Sequence, residues 1–358
     1  MSRCFIIAEA GVNHNGSLDI ARKLVDVAAS AGADAVKFQT FRTEALVSRS
    51  APRAEYQIRA MRGEDSQFEM LKKLELNESD HETIIAHSAQ AGIEFLSTPF
   101  DSLSLELLTK RFGMRTIKIP SGEITNGPFL LEIARTAERL ILSTGMSDLS
   151  DVEAALAVIA FGFLHPHGNP VHASLIDAAC SPEARAELAK RVTLLHATTE
   201  YPAPPGEVNL RAMDTLASAF GLRTGYSDHT RGTHIAVAAA ARGACVVEKH
   251  FTLSREMDGP DHKASLEPGE LKHMVECIRE VELALGDGRK RPKGSERKNM
   301  AVARKSLVAE RDIAFGETFS IENTGVKRPG TGISPMRYWE RLGQTARRAY
   351  RRDEVLEE

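Results

Sequence analysis

Short apolar runs alternate with longer amphipathic stretches along most of the chain. Each run is β-rich and ends in Gly or polar residues, and a segment of helical character follows most of the runs. The eight runs lie at 4–11, 34–41, 94–101, 116–123, 140–146, 193–202, 222–229 and 245–250. This pattern predicts an α/β protein built on a (β/α)8 TIM barrel. A doubly wound open sheet fits less well, because polar residues follow all eight runs instead of gathering at one switch point.

The pattern changes near the end of the chain. Residues 270–288 read as the last barrel helix, and 289–299 are basic, polar and contain Pro, which is typical of a solvated linker. From 300 onward short β-like pieces alternate with turns. We therefore expect a catalytic barrel at 1–288, a linker at 289–299 and a small β-rich domain at 300–358, too small to bury much apolar surface by itself.

Composition excludes several classes of partner. The chain has 358 residues, of which 42% are hydrophobic and 27% charged, and a net charge of -3. Such values give no general attraction to nucleic acid or to an anionic membrane. No apolar run has the length of a membrane span, and the start MSRCFIIAEAG does not resemble a secretion signal. The four cysteines are isolated from one another, so we expect reduced thiols in a cytoplasmic protein.

Two of the apolar runs end in histidine. GYSDH ends at His229 and VVEKH ends at His250, and an Ala-rich segment of helical type lies between them. If both runs are neighbouring parallel strands, the two histidines lie at the same end of the sheet, as in a two-histidine metal site. Ser227 shares a strand face with His229, and Glu248 shares one with His250. The alternative is that both histidines end their strands facing water.

Two connections between the runs are long. Residues 42–77 should contain an extended loop after the second run, and loops at that face of a barrel often carry function. The other connection, 161–190, could build a metal site from His165, His167 and His172. That hypothesis has less support, because nothing rigid is predicted to hold the three side chains together.

Polar residues at the ends of the eight runs should converge at one mouth of the barrel. The set consists of Glu9, Lys37, Gln39, Ser97, Thr98, Lys118, Ser121, Glu123, Ser143, Thr144, His196, Thr198, Thr199, Ser227, Asp228, His229, Glu248 and His250. Two lysines with several hydroxyls can hold a phosphate or a carboxylate. Two histidines can hold a divalent cation with open positions, and a nearby carboxylate can act as acid or base. A single Ser or Thr would by default only satisfy backbone groups, so the prediction depends on the whole set.

These motifs resemble the sialic acid synthase family, whose members include N-acetylneuraminate synthase and legionaminic acid synthase. The resemblance covers roughly residues 4–350 and is carried, in order, by IAEAGVNHNGS, ADAVKFQTF, FLSTPFD, KIPSGEITN, ILSTGM, EYPAP, GYSDHT, EKHFT, GPDHKASLEP, ARKS and KRPGTGISP. It implies a barrel followed by an antifreeze-like (SAF) domain, and a domain-swapped homodimer. It also implies condensation of phosphoenolpyruvate with an N-acetylmannosamine-type sugar, with Mn2+, or else Mg2+ or Co2+, as cofactor.

The resemblance also assigns roles residue by residue. It implies that Glu9 is the catalytic carboxylate and that His229 and His250 are the metal ligands. The residues implied to bind phosphoenolpyruvate are Lys37, Gln39, Thr98, Lys118, Ser121, Ser143, Thr199 and Ser227. The residues implied to face the sugar are Glu123, Tyr201, Asp261 and Arg328, the last lent by the partner's small domain. The chain departs from the family pattern at Ala197, where Cys is common, and at Thr199, where some members have Asn.

Several functions agree with these residues. The resemblance implies an N-acetylneuraminate synthase or, as the alternative, a legionaminic acid synthase that uses 2,4-diacetamido-2,4,6-trideoxymannose. A metal-dependent barrel aldolase is a more remote alternative, and its Schiff-base form would need Lys37 or Lys118 as nucleophile. A non-enzymatic ice- or carbohydrate-binding role for the small domain has the least support, because the polar convergence lies in the barrel. Which acid is made, and what 161–190 does, stay open at this stage.

Overall fold

The structure is a computed structural model that describes residues 3–53, 58 and 66–358. The chain divides into two compact units, Met1–Gly286 and Asp287–Glu358. This boundary lies close to the end of the predicted barrel domain. In the part of the chain that is described, no helix is both long and apolar enough to cross a membrane.

The first unit alternates strands and helices throughout. Its strands are β1 (Phe5–Gly11), β2 (Ala35–Thr40), β3 (Glu94–Pro99), β4 (Thr116–Ile119), β5 (Arg139–Ser143), β6 (Val192–Ala197), β7 (Arg223–Asp228) and β8 (Val246–His250). Its α-helices are α1 (Leu18–Ser30), α2 (Thr43–Leu46), α3 (Gln67–Lys72), α4 (Glu78–Ala91), α5 (Ser102–Glu106), α6 (Gly127–Thr136), α7 (Leu149–Leu164), α8 (His172–Cys180), α9 (Pro182–Arg191), α10 (Ala212–Phe220), α11 (His234–Ala241) and α12 (Pro268–Leu285). Each predicted run overlaps one strand, and most of the polar residues predicted to converge at the mouth lie within the strands.

All eight strands form one parallel sheet in the order β3-β2-β1-β8-β7-β6-β5-β4. The two strands at the ends of this order, β3 and β4, lie next to each other, so the sheet is a nearly closed barrel. The predicted (β/α)8 fold is therefore confirmed. The register aligns Glu9 of β1 with Lys37 on one side and with His250 on the other. The register thus brings three of the predicted site residues to the same level.

The lower half of the barrel interior is packed with apolar side chains. One buried cluster joins Ile7, Ala35, Leu96, Ile141, Leu195 and Val246. Gly225 is required here, because a Cβ at that position would lie 2.3 Å from the Val246 carbonyl oxygen and 2.7 Å from Leu195 Cδ2. Larger apolar clusters lie between the strands and the surrounding helices. The barrel is therefore closed below its mouth, as a packed core and not as a pore.

Local sequence signals fix the helix ends. Asn77 begins α4 with a capping box that includes Asp80, and Gly92, at φ 72°, ends it. Asp148 begins α7 in the same way with Asp151. These side chains satisfy backbone N–H groups that the first turn leaves without partners, and a left-handed Gly terminates the helix at low cost.

The two long connections contain helices. In 42–77 the structure has α2 and α3 where a loop was expected, while 54–57 and 59–65 lie outside the described residues. The segment 161–190 holds the end of α7, then α8 and most of α9. Among the residues that the structure describes, no group of three or more His, Cys, Asp and Glu side chains is arranged to hold a metal ion. The three histidines of 161–190 therefore do not form the metal site that was the weaker hypothesis.

The second unit has a small core of its own. It contains α13 (Gly294–Ala303), the antiparallel pair β9 (Ser306–Ala309) and β10 (Thr324–Lys327), and α14 (Tyr338–Arg341). Buried apolar residues, among them Leu307, Phe319, Ile333 and Tyr350, join the strand pair to α14, whereas α13 has no buried residue. Helix α13 begins inside the segment 289–299 that the sequence analysis treated as a linker.

Candidate active site

The carboxyl ends of the strands surround a cavity of about 420 Å3 at the barrel mouth. Its lining contains every residue to which the resemblance assigned a role, except Glu123 and Arg328. The convergence follows from the fold, because in a parallel barrel the carboxyl ends of all strands open on the same face. The cavity is therefore the candidate active site.

A buried cluster of two lysines and two glutamates lies at the floor of this cavity. Lys37 forms an ion pair with Glu9 and donates a 2.9 Å hydrogen bond to Thr98 Oγ1. Lys37 Nζ also lies 3.5 Å from Glu248 Oε2, and Lys118 Nζ lies 3.6 Å from Glu248 Oε1. None of the four side chains is more than 5% exposed. The cluster carries a net positive charge when Glu9 is protonated, so its two ammonium groups can then bind an anionic ligand away from water.

The two glutamates of this cluster differ in their proton affinity. Burial raises the pKa of Glu9 to about 7, although Lys37 favours its ionised form. Burial also opposes ionisation of Glu248, but Lys118 and Lys37 outweigh it and bring the pKa of Glu248 to about 2. Near neutral pH Glu248 therefore stays ionised, while Glu9 can take up or release a proton. Such divergent pKa values mark Glu9 as the acid–base candidate.

The pKa values of the two lysines are shifted in opposite directions. Burial lowers the pKa of Lys118, and the nearby charge of Lys37 acts in the same direction. Burial also works against the charged form of Lys37, but Glu248 and Glu9 outweigh it and raise the pKa of Lys37.

Several hydroxyl groups line the same cavity as the lysines. Ser121 Oγ accepts a hydrogen bond of 3.0 Å from the Gly145 backbone N–H. A Cβ at Gly145 would lie 2.3 Å from Thr199 Oγ1, so only glycine allows this close approach. The hydroxyls of Ser143 and Thr199 are buried and make no hydrogen bond within the described part of the chain. Buried polar atoms normally have partners, so these hydroxyls are suited to bind a ligand's oxygen atoms.

The two histidines, at the carboxyl ends of β7 and β8, form the rim of the cavity, with ring centroids 5.6 Å apart. His229 Nδ1 is 2.7 Å from the Thr198 carbonyl oxygen, and because that oxygen can only accept, Nδ1 carries the proton and Nε2 has the lone pair. His250 Nδ1 is buried, has no hydrogen-bond partner among the described residues, and lies 3.9 Å from Asp261 Oδ2. Burial lowers the pKa of both rings, so both are neutral near pH 7.

These features fit a divalent cation. Neutral imidazoles with one nitrogen held by a backbone carbonyl are typical metal ligands. With these two histidines as its protein ligands, a divalent cation would keep positions for substrate and water.

The predicted sugar-facing residues are distributed more widely. Tyr201 lies at the rim, with its ring centroid 4.2 Å from that of His229. Asp261 lines the cavity, and burial raises its pKa to about 6. Glu123 lies on the turn after β4, outside the cavity lining, and accepts a hydrogen bond from Asn126. Arg328 lies in the second unit, is exposed, and donates through Nε to the Ala303 carbonyl oxygen at 3.0 Å.

Two features of the cavity were not assigned a role from sequence. The sequence places Glu248 at a strand end, on the same strand face as His250. Its contacts with the two lysines join three separate strands, so no local sequence pattern predicts them. The second feature is an apolar side of the cavity that includes Leu46, Leu71 and Phe100. Two of these residues come from 42–77, where sequence reasoning expected an extended loop.

A parallel barrel with a buried Lys–Glu floor and two histidines at its mouth defines a class of barrel enzymes whose polar active site opens at the carboxyl ends of the strands. Comparison with known proteins places the chain within this class. The NeuB family model matches residues 24–290, and the SAF domain model matches residues 304–358. The chain belongs to the NeuB family, which confirms the predicted family and the predicted order of domains.

Relatives match over nearly complete lengths. The N,N'-diacetyllegionaminic acid synthase of Campylobacter jejuni is 50% identical over 100% of both chains. The enzyme of that name from Legionella pneumophila is 45% identical over 93% of this chain and 87% of its own. A crystal structure of N-acetylneuraminic acid synthetase from Leptospira borgpetersenii is 31% identical, has a TM-score of 0.67, and covers 84% of this chain and 90% of its own.

Proposed function

We propose that this protein condenses phosphoenolpyruvate with 2,4-diacetamido-2,4,6-trideoxymannose, giving a nonulosonic acid of the legionaminic type and phosphate. The higher identity to the two legionaminic acid synthases, 50% and 45%, favours this product over N-acetylneuraminate, whose synthetase from Leptospira is 31% identical. N-acetylneuraminate synthesis from N-acetylmannosamine is the second candidate.

The observation that carries the proposal is the buried cationic floor beside hydroxyls that lack protein partners among the described residues. Phosphoenolpyruvate carries a phosphate and a carboxylate next to each other. Lys37 and Lys118 supply the positive charge, while Ser143 and Thr199 supply hydroxyl donors. Charge-assisted hydrogen bonds in a site away from water are the strong ones, and Lys binds phosphate as a point charge.

The reaction follows from this placement. C3 of phosphoenolpyruvate attacks the aldehyde carbon of the open-chain sugar, C2 becomes an oxocarbenium centre, and the aldehyde oxygen takes a proton to become a hydroxyl. Water adds to C2 and loses its proton to Glu9, whose pKa of about 7 suits that step. The C2–O bond to phosphate then breaks as the C2 hydroxyl gives up its proton to the departing phosphate, which leaves a 2-keto acid and hydrogen phosphate. No oxidant or reductant is required.

A divalent cation held by His229 and His250, Mn2+ in our proposal, would supply Lewis-acid polarisation of the aldehyde oxygen. The residues of the chain contribute position and charge: the floor fixes phosphoenolpyruvate, and the rim fixes the aldehyde end of the sugar. Holding two substrates in a reactive arrangement can account for a large part of the rate enhancement.

We also propose that the protein acts as a homodimer in the cytoplasm, with Arg328 of one subunit reaching the sugar bound in the other. Arg328 lies in the separate second unit, and the unpaired cysteines agree with a reducing compartment. A mixture of His229→Ala and Arg328→Ala chains should regain activity once subunits exchange. Exchange without recovered activity would place Arg328 in its own subunit's site or in no site.

A substrate panel with phosphate release as the readout tests the proposed reaction. Phosphate release should require both phosphoenolpyruvate and the diacetamido sugar, stop after exhaustive chelation, and return with Mn2+. Full activity after chelation would exclude the metal site. The lowered pKa of Lys118 keeps a Schiff-base aldolase as a competing mechanism. Borohydride would then trap substrate covalently on Lys118, and that adduct would overturn the synthase mechanism.

A further inference from the structure

The cavity at the barrel mouth has a second side that the proposed reaction does not use. It is formed by Leu46 and Val47 at the end of α2, Leu71 of α3, and Phe100 just after β3. We call these four residues the apolar wall. Each is half-buried, so each shows part of its apolar surface to the cavity.

The apolar wall is backed by a core of its own. Buried Met70 and Leu74 pack with Phe41, and Leu46, Leu71 and Phe100 pack against that cluster. The rings of Phe41 and Phe100 meet edge to face, with centroids 6.3 Å apart. Close packing of this kind holds side chains in fixed rotamers. The wall is therefore a shaped surface and not a set of loosely held side chains.

Backbone contacts tie the wall to the strand ends. Asp101 Oδ2 accepts a 2.8 Å hydrogen bond from the Arg42 backbone N–H, which joins the chain after β2 to the chain after β3. Ser66 begins α3 with a capping box that includes Glu69. A Cβ at Gly16 would lie 2.4 Å from the Lys73 carbonyl oxygen, so the loop after β1 packs directly on the end of this segment.

The position of the wall determines what it can contact. The floor and rim take the phosphate, the carboxylate and the reacting aldehyde, which are the polar ends of the two substrates. The sugar carbons remote from the aldehyde would then extend into the rest of the same cavity, whose lining includes the wall. An apolar surface cannot replace the water that a hydroxyl group loses on binding.

We propose that the apolar wall is a specificity determinant that contacts the methyl groups of a sugar whose carbons remote from the aldehyde carry a methyl and an N-acyl group, and disfavours a sugar that carries hydroxyls there. This inference rests on the proposed function and deepens it. Leu46, Leu71 and Phe100 act on the sugar and not on phosphoenolpyruvate. A hydrophobic pocket discriminates by about 10- to 200-fold for each such group.

The test compares two sugars in two variants. Leu46→Asn and Leu71→Asn place an amide of similar size on the wall, where it can pair with a substrate hydroxyl. We measure kcat/KM for 2,4-diacetamido-2,4,6-trideoxymannose and for N-acetylmannosamine, and the KM for phosphoenolpyruvate. The ratio of the two kcat/KM values should fall at least about tenfold in each variant. The KM for phosphoenolpyruvate should stay within about twofold, because the cationic floor is unchanged.

The matched control is Leu283→Asn. Leu283 lies on α12 and is 85% exposed, so the same substitution there should change neither sugar's kcat/KM. Melting temperatures are recorded for all three variants, and the two wall positions give independent tests if one of them loses stability.

Each outcome decides the inference. If the ratio of the two kcat/KM values is unchanged in both variants while the wild-type enzyme turns over the diacetamido sugar, the wall is not a specificity determinant. The proposed function is then unaffected. A wild-type enzyme that prefers N-acetylmannosamine refutes the proposed substrate, and the inference fails with it. A wild-type enzyme that turns over neither sugar refutes the proposed function, and the inference fails with it. A large rise in the KM for phosphoenolpyruvate would show that the wall acts on the other substrate.

Discussion

Two buried lysine–carboxylate clusters lie on opposite faces of β8. Inside the barrel, Glu248 contacts Lys37 and Lys118. On the opposite side of the same strand, Lys249 forms an ion pair of 2.9 Å with Asp228, and neither side chain has any exposed surface. The two clusters have the same chemistry and nearly the same burial, so burial alone does not explain why only one of them is suited to catalysis.

The difference lies in how completely each cluster is hydrogen bonded. Asp228 Oδ1 accepts from the backbone N–H and the hydroxyl of Thr230, at 2.9 and 2.8 Å. Lys249 donates to Asp228 Oδ2 and to the Thr230 carbonyl. In the inner cluster, Glu9 Oε1 has no hydrogen-bond partner anywhere in the described residues. A satisfied buried pair maintains structure, whereas an unsatisfied one retains the capacity to bind a ligand.

Glu9→Gln should give the largest effect. The substitution keeps the shape of the side chain and removes its proton transfer, so we expect turnover to fall by about 10²- to 10⁴-fold. Phosphate release at saturating substrates measures it, and the melting temperature should change little. Glu280→Gln, an exposed change on α12, is the control. Unchanged turnover would make Glu9 a structural residue like Asp228 and end the distinction between the clusters.

Lys118→Met is the next test, and it removes one positive charge from the floor. Glu248 keeps Lys37 as a partner, so we expect a modest loss of stability. Turnover should fall by about 10²- to 10³-fold, the usual effect of losing one donor to a developing or bound anion. Steady-state kinetics and thermal unfolding report the two effects separately. A large stability loss with normal kinetics would contradict the assignment.

Lys249→Met makes the same substitution on the outer face, and its main effect should be on folding. It leaves the carboxylate of Asp228 buried without a cation, which typically costs about 3–5 kcal/mol of unfolding free energy. Urea denaturation measures this value. Protein that remains folded should bind phosphoenolpyruvate with normal affinity. A stability loss below about 1 kcal/mol would show that the outer pair is not structural.

The double variant Asp228→Asn with Lys249→Met should show the smallest effect. It removes both charges, and the introduced amide would still offer an oxygen to Thr230. Replacing a buried ion pair by neutral groups is often close to neutral in stability. We therefore expect at least half of the stability lost in Lys249→Met to return in the same urea experiment. A double variant as unstable as the single one would mean that Lys249 acts through packing and not through charge.

Much of the fold could be predicted from sequence, because each step uses local information. Each strand is marked by an apolar run, and eight such runs predict a parallel barrel. The polar residues at the carboxyl ends of the strands must then lie at the barrel mouth. The inward direction of Glu248 and His250 follows from the alternation of side chains in a strand. The bond between His229 and the Thr198 carbonyl, which decides which nitrogen has the lone pair, joins distant parts of the chain and has no local signal.

Other parts depended on information that the sequence pattern does not carry. The apolar wall was missed because α2 and α3 are too short for a helical period to be distinct from a loop. Helix α13 begins in a basic stretch that resembles a linker, and its residues are exposed or half-buried, so no apolar face marks it. The place of Arg328 in catalysis stays a prediction, since it depends on an assembly of two chains.

The back-to-back arrangement of the two clusters has a consequence for how such a chain can evolve. Side chains of a strand alternate between the barrel interior and the helix layer, so deleting one residue of β8 would turn Lys249 into the barrel and Glu248 into the helix layer. Both clusters would be lost together, although every residue type needed for them would still be present. Changes of chain length by an odd number of residues within β8 should therefore abolish both clusters, and tolerated insertions and deletions should be confined to the connections between strands.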